Sequence, residues 1–238
     1  YHYATGQNYS AVLTGEIQCY EPTLDLIIRK LSPAKYIHGV RTDSLHIDGN
    51  DTIIIFQKEM TCLDNLNPDE CVWGYSWLGN KLIKRSSGDE LFFNFNGDTL
   101  LIQTHAELND SWRFWTADDS SYIEAKLVSI LKESFFEVSD TVKTISLAHF
   151  SKDGTLLQHI EYDSIKLSKN YGLLTCYNFR DFPSNERNMP VVSFNLIGTT
   201  REQTGFQLFT KADVYDFEIG DEFHVNREYE YWFYQTGR

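Results

Sequence analysis

The chain has 238 residues, of which 42% are hydrophobic and 23% are charged, a balance that is typical of a folded protein and excludes extensive disorder. Its formal net charge of −13 excludes nucleic acid as a partner, because binding to a phosphate backbone depends on clustered Lys and Arg. No apolar run approaches the roughly 18 residues that a membrane-spanning helix needs. The aromatic share of 15% favours strands.

Turn signals with Gly next to Asn or Asp recur between alternating apolar runs and predict tight β-hairpins. They are DGND at 48–51, SSGD at 86–89, FNGD at 95–98 and KDGT at 152–155. The strand-like segments are, in chain order, 11–20, 24–31, 52–58, 81–84, 90–95, 99–104, 111–116, 122–131, 141–150, 156–167, 172–179, 191–198, 207–210 and 214–225. Residues 122–134 also carry a helical stripe, but the hairpins on both sides favour a strand.

These elements predict an all-β fold with little helix, in which an antiparallel meander forms a curved sheet, a half-barrel or a sandwich. No linker rich in Gly, Ser or Pro is visible. We therefore predict one all-β domain over residues 1–238, or two closely packed β subdomains with a seam near 62–76. Because the chain starts at Tyr1 and its last stretch, 228–238, still alternates like a strand, we expect the parent chain to continue past 238.

The four cysteines are Cys19, Cys62, Cys71 and Cys176. Cys62 and Cys71 bracket the polar loop CLDNLNPDEC, and this spacing favours a disulfide, because a zinc pair would need Cys-x-x-Cys spacing with histidines in register. A disulfide indicates an oxidising compartment. Buried reduced thiols are the alternative, which fits Cys19 and Cys176 best because each lies in a strand-like run.

The segment VYDFEIGDEFHV, residues 214–225, concentrates carboxylates around one histidine, His224. Strand alternation places Tyr215, Phe217 and Ile219 on one face and the carboxylates of Asp216 and Glu218 on the other. The carboxylates then form a hydrated row and not a converging acid–base pair. A calcium site at Asp221 and Glu222 is a weaker alternative, because the usual Asp-x-Asp-x-Asp-Gly spacing is missing.

An aromatic stripe, Trp73, Tyr75 and Trp77, faces one side of a predicted strand. Three exposed rings in a row make a platform for a sugar or an apolar peptide face. Large aromatics in β-proteins are more often core residues, and the core interpretation is the stronger one.

The sequence lacks the Gly-x-Ser-x-Gly, His-Glu-x-x-His and Gly-rich phosphate-loop motifs. Its seven histidines show no ligand spacing, and His105 and His149 are predicted to be hydrogen-bonded core residues. We therefore predict no catalytic residue, no cofactor and no metal.

Several segments occur in one order: GDTLLIQTHAELNDSWRFW (97–115), YIEAKLVSI (122–130), VSDTVKTISL (138–147), LSKNYGLL (167–174) and VYDFEIGDEFH (214–224). This order resembles secreted and cell-surface proteins of Bacteroidota whose chains end in a type IX secretion sorting domain. The resemblance covers roughly residues 77–225 and implies export and an all-β fold, with no established activity. The sorting domain itself is absent from these 238 residues. The SKNYGLL turn also looks like the curved-sheet lipoprotein-carrier fold.

The sequence therefore predicts a non-enzymatic module of a secreted or cell-surface protein, associated with the outer membrane, with an adhesive, binding or structural role. Its expected partners are a glycan or another surface protein, and the secretion machinery through a sorting domain outside this sequence. One alternative is a carbohydrate-binding module or carbohydrate-active enzyme. The other is a carrier of an apolar ligand inside a half-barrel.

The disulfide between Cys62 and Cys71 is directly testable. Closing a loop this short contributes about 2–3 kcal/mol to the free energy of unfolding in the chain-entropy model. We expect mass spectrometry of a non-reducing digest to find the two cysteines in one linked peptide pair. Detection of both as free thiols would contradict the pairing and the argument for an oxidising compartment.

Overall fold

The computed structural model describes residues 9–23, 37–62, 71–74, 76–183, 193–201 and 203–206. All of them belong to a compact unit that spans Tyr1–Leu208, and Phe209–Arg238 form a second unit. The seam predicted near 62–76 falls inside the first unit. The predicted strands 24–31, 207–210 and 214–225 lie outside the described residues.

The described part is all-β and contains no helix, as predicted. Its first eight strands are β1 (Ile17–Thr23), β2 (His38–Asp48), β3 (Asp51–Phe56), β4 (Glu59–Cys62), β5 (Cys71–Gly74), β6 (Lys81–Lys84), β7 (Asp89–Phe93) and β8 (Thr99–Gln103). The remaining strands are β9 (Ser111–Thr116), β10 (Tyr122–Phe135), β11 (Val138–Phe150), β12 (Leu156–Ser168), β13 (Gly172–Tyr177), β14 (Ser193–Thr199) and β15 (Thr204–Gly205).

Twelve strands of the described chain form one antiparallel sheet in the order β8-β7-β6-β3-β2-β1-β14-β13-β12-β11-β10-β9, and the short β15 pairs with β14. The sheet consists of two meanders, joined where β1 pairs with β14. The first contains β1, β2, β3, β6, β7 and β8, and the second runs from β9 to β14. It curls until it nearly closes into a barrel-like shape. The β4–β5 hairpin is a separate two-stranded sheet.

The local predictions are largely confirmed. All four Gly-containing turns join paired strands, with β2–β3, β6–β7, β7–β8 and β11–β12 as the hairpins. Residues 122–134 form a strand, not a helix. The prediction of a strand at 11–20 is wrong in its first part, because the chain becomes extended and paired only from Ile17. The strand His38–Asp48 was not predicted, because its polar sequence HGVRTDSLHID lacks a clear apolar alternation.

Side chains that point into the barrel form one hydrophobic core. The alternation expected of a strand is clear in β8 and β9, where Leu100, Ile102, Trp112 and Phe114 are buried while their neighbours are more exposed. The interior is therefore lined by large side chains from both meanders.

A strap of chain, residues 9–12, crosses this interior. Ala11 and Val12 are 0% and 1% exposed. The Ala11 N–H donates to Glu90 Oε2 on β7 over 2.9 Å, and the Ala11 carbonyl accepts the N–H of Leu173 on β13 over 2.9 Å. Strands β7 and β13 are second and eighth in the order of twelve, so the strap links opposite walls of the barrel.

Two further segments fill the interior. The turn at 76–79 inserts Trp77, which stacks on Phe194 of β14 at a ring distance of 4.1 Å. The segment 178–183 inserts Phe179, whose ring lies 4.9 Å from Phe92 of β7 and 6.0 Å from Phe114 of β9. The sheet ends at β8 and β9, and β7 is the neighbour of β8. Phe179 therefore contacts both sides of the gap in the barrel from the inside.

The turn between β10 and β11 has an unusual backbone. Phe136 and Glu137 have φ values of 49° and 66°, the left-handed region that two-residue hairpin turns require and that Asn or Gly usually supplies. The aromatic rings of Phe135, Phe136 and Tyr171 pack together, at distances of 4.3–5.9 Å. We infer that this packing holds the turn in a conformation that its own residues disfavour.

Replacing Glu137 with Gly should raise the free energy of unfolding by roughly 0.5–1 kcal/mol. The left-handed conformation costs a non-Gly residue about 1–2 kcal/mol, part of which is offset by the larger entropy of Gly in the unfolded chain. The matched control is Lys132→Gly in the extended part of the same hairpin, which should lower stability. Urea midpoints followed by circular dichroism measure both changes, and a less stable Glu137→Gly protein would contradict this account.

Candidate functional site

The structure buries part of the predicted aromatic platform. Trp77 is 3% exposed, stacks on Phe194 and meets Tyr20 edge-on at 4.9 Å. This residue is therefore core and presents no face to a ligand. The side chains of Trp73 and Tyr75 lie outside the described residues, so a platform built from those two stays untested.

The cysteines fall into two groups. Cys62 and Cys71 lie directly opposite each other in the β4–β5 ladder, which is the backbone arrangement that a disulfide across a hairpin needs. Their side chains are not described, no disulfide is seen in the described part, and the bond stays a prediction. Cys19 and Cys176 are both buried, and burial raises the pKa of the Cys176 thiol well above its ordinary value.

Two other predictions have different outcomes. The 214–225 segment, with its hydrated carboxylates and the weaker calcium alternative, lies outside the described residues. His105 was predicted to be in the core, and this is wrong: its side chain is 53% exposed in the loop after β8. His149 is partly buried in β11. No cluster of three or more His, Cys, Asp or Glu residues suited to a metal ion occurs in the described ranges.

Glu90, the most buried carboxylate among the described residues, anchors the strap. It is 4% exposed, accepts the Ala11 N–H, and lies 3.1 Å from Ser10 Oγ and 3.6 Å from Lys84 Nζ. A serine beside a lysine can form a nucleophile and its base. Here, however, Lys84 donates to Ser10 Oγ and to the Val12 carbonyl, so it acts as a cation that fastens the strap.

A buried cation, Lys143 of β11, fixes the loop that connects β8 to β9. Its Nζ donates to the carbonyls of Thr104 and Ala106 over 2.8 and 2.7 Å and lies 4.4 Å from the centre of the Tyr9 ring. Burial lowers the pKa of Lys143, and the carboxylates of Asp110 and Glu107 oppose that effect. Both strap and loop therefore depend on this one side chain.

The SKNYGLL turn owes its shape to Asp140. This buried carboxylate of β11 accepts the hydroxyl of Ser168 and the N–H of Asn170, the latter over 3.0 Å, and the Tyr171 N–H donates to Ser168 Oγ over 2.9 Å. The polar groups of this turn therefore make their hydrogen bonds with one another. The motif is structural in this fold.

An open cleft of about 360 Å³ lies on the outer face, at the seam between β8 and β9. These two strands end the sheet order, and no backbone ladder joins them within the described sheet. The seam is closed instead by Trp112, whose Nε1 donates to the Leu101 carbonyl over 2.8 Å. Arg113 is exposed between the buried Trp112 and Phe114, whereas Trp115, which follows a register shift in the β9–β10 ladder, is partly buried. Both side chains line the cleft.

The cleft combines an apolar floor with a polar rim. Leu101 and Trp115 are partly buried and pack against the core. Asp98 stands at the rim, where Asn94 Nδ2 donates to its Oδ2 over 3.0 Å and Trp115 Nε1 lies 3.4 Å from the same oxygen. Arg113 also lines the cleft, and its guanidinium lies 4.6 Å from the centre of the Tyr122 ring on the neighbouring strand β10.

The sequence alone did not single out this cleft. Its residues come from segments that were predicted as elements, namely the FNGD turn and the strands at 90–95, 99–104 and 111–116. The exposure of Arg113 follows from the alternation of SWRFWT, but a register shift in the β9–β10 ladder interrupts that alternation before Trp115. What the sequence could not supply is the meeting of β8 and β9 as two unpaired edges.

Comparison of the chain with protein-family models, with curated proteins and with solved structures finds no match. Among the described residues, no helix has the length and apolar character to cross a membrane. Function must therefore be argued from the geometry of the chain.

The buried Glu90 predicts a pH dependence of stability. Burial raises its pKa above the ordinary value of 4.5, against the lowering effects of Lys84 and the hydrogen bonds from Ala11 and Ser10. A carboxyl whose pKa is higher in the folded state binds its proton more tightly there. Its contribution to the free energy of unfolding therefore falls as pH rises from the ordinary value through the raised folded one.

The variant Glu90→Gln does not titrate at this position. We expect the stability of the wild type relative to Glu90→Gln to decline as the pH rises above the ordinary carboxyl value of about 4.5. Urea unfolding of both proteins at each pH measures the difference. A difference that stays flat or increases with pH would contradict the assigned shift.

Proposed function

We propose that this chain is a non-enzymatic β-module of a secreted or cell-surface protein that acts by binding a partner on its outer surface. The observation that carries the proposal is the filled interior of the barrel. The strap at 9–12 and the segments at 76–79 and 178–183 occupy the space in which a barrel protein would otherwise hold a ligand.

The filled interior weighs against the carrier alternative. A carrier of an apolar ligand needs a large empty pocket inside the barrel, in the manner of small barrels that hold one ligand. Here Phe114, Phe179 and Phe182 meet across the centre, with ring distances of 5.3–6.0 Å. The cleft at the β8–β9 seam is instead open to solvent.

Export is supported by the ordered motifs that resemble secreted proteins of Bacteroidota. The arrangement of Cys62 opposite Cys71 is a second, independent support, because a disulfide there would be stable in an oxidising compartment. The net charge of −13 suits a soluble surface protein and disfavours binding to anionic membranes or nucleic acid.

The proposal is tested in the organism that encodes the chain. An antibody against residues of the described barrel should detect the protein in the culture medium or on intact cells, where added protease removes it while a cytoplasmic marker survives. Purified chain should also bind saturably to isolated surface material without altering its covalent structure. Retention inside the cell, or turnover of the surface material, would overturn the proposal.

A further inference from the structure

We propose that the cleft between β8 and β9 binds one unit of a neutral pyranose sugar, with Trp115 in the floor and Arg113 and Asp98 on the rim. This inference rests on the proposed function, because it names the ligand class of an outer binding surface. It also develops the carbohydrate-binding alternative from a specific site.

The floor of the cleft suits the apolar face of a sugar ring. A pyranose presents a patch of C–H groups on one face, and an aromatic ring is its usual partner, since it offers a large flat apolar area and an electron-rich face. Trp115 is partly buried against the core, so its ring is held in place before any ligand arrives. Leu101, on the neighbouring strand, extends the same apolar surface.

The rim suits the hydroxyl groups of the same ring. Arg113 offers several N–H donors from a guanidinium that contacts the Tyr122 ring, and the Asp98 carboxylate offers acceptor oxygens. The side chains of Thr99 and Thr116 add two hydroxyls at the cleft. A sugar hydroxyl both donates and accepts, so it can use an arginine and a carboxylate together.

The charges favour a neutral ligand. Arg113 and Asp98 balance each other at the rim, while the chain as a whole carries a net charge of −13, which repels an acidic sugar. The volume of about 360 Å³ is near the lower end for ligand pockets, which suits one ring of a glycan and not a large cofactor.

The seam also disfavours a peptide strand as the occupant. Adding a strand between β8 and β9 would require about 9.5 Å between them. The indole of Trp112 already bridges from β9 to the Leu101 carbonyl, and Cα atoms of the two strands approach within 8 Å. The open space therefore lies above the sheet surface and not within its plane.

The experiment titrates the full 15N-labelled chain with methyl β-D-glucopyranoside, methyl β-D-galactopyranoside and methyl α-D-mannopyranoside, and with glucuronic acid as the anionic comparison. We expect at least one neutral glycoside to shift the amide signals of residues 98–101 and 113–116 saturably. Arg113→Ala and Trp115→Ala should each weaken that binding by about tenfold or more. The control Arg41→Ala, an exposed arginine on β2, should leave it unchanged.

Circular dichroism checks that each variant is folded. If Trp115→Ala fails to fold, Trp115→Phe, which keeps an aromatic floor, and Arg113→Ala carry the test. The inference is overturned if sugars shift residues elsewhere, if glucuronic acid binds the cleft more tightly than every neutral glycoside, or if none of the panel binds. Saturable binding to surface material without any sugar response would leave the proposed function standing and remove only the ligand class.

Discussion

The pairing of β1 with β14 is the interaction on which the rest of the structure depends. Most other ladders of the large sheet join strands that are neighbours in the sequence, whereas this one brings Gln18 opposite Thr199 and Thr23 opposite Ser193. Bringing such distant segments together carries the largest loop-closure entropy in the fold. The ladder is reinforced from inside the barrel by the stack of Trp77 on Phe194 and the edge contact of Trp77 with Tyr20.

Once the two meanders are joined, the chain fills the space between them. The strap at 9–12 immediately precedes β1, so the same segment that starts the long-range ladder also crosses the interior. Glu90 accepts the Ala11 N–H of the strap, and Lys143 lies over the Tyr9 ring while it donates to the carbonyls of Thr104 and Ala106. These partners explain why the two charged side chains are tolerated in the core. The consequence is a barrel whose interior is filled by its own side chains.

The local structure could be predicted well from the sequence, because hairpins are encoded by adjacent residues. The DGND signal correctly predicted a hairpin turn, and the alternation of SWRFWT correctly predicted a strand. The strap was mistaken for the start of a strand, since Ala11 and Val12 have the apolar character of strand residues but are buried by tertiary packing. The turn at Phe136 and Glu137 carries no Gly or Asn signal, because its conformation is imposed by aromatic packing around Tyr171.

The candidate site was less predictable, because it combines residues that are distant in the sequence. Arg113 and Trp115 lie on one strand, but Asp98, which also lines the cleft, comes from a turn in the other meander. No local sequence signal predicts that β8 and β9 lie side by side without backbone hydrogen bonds between them. That arrangement is a product of how far the sheet curls, which depends on the register of the β1–β14 pairing and on the bulge between Cys19 and Tyr20.

Native-state hydrogen exchange tests most directly whether the β1–β14 ladder unites the two meanders. The account predicts that amides in β1 and β14, and the Leu173 amide that donates to the strap, exchange only through global unfolding, with the same free energy as the core amides of β11. Exchange of the β1 and β14 amides at a clearly lower free energy than those of β11 would contradict it, because the two meanders would then separate while each stayed folded.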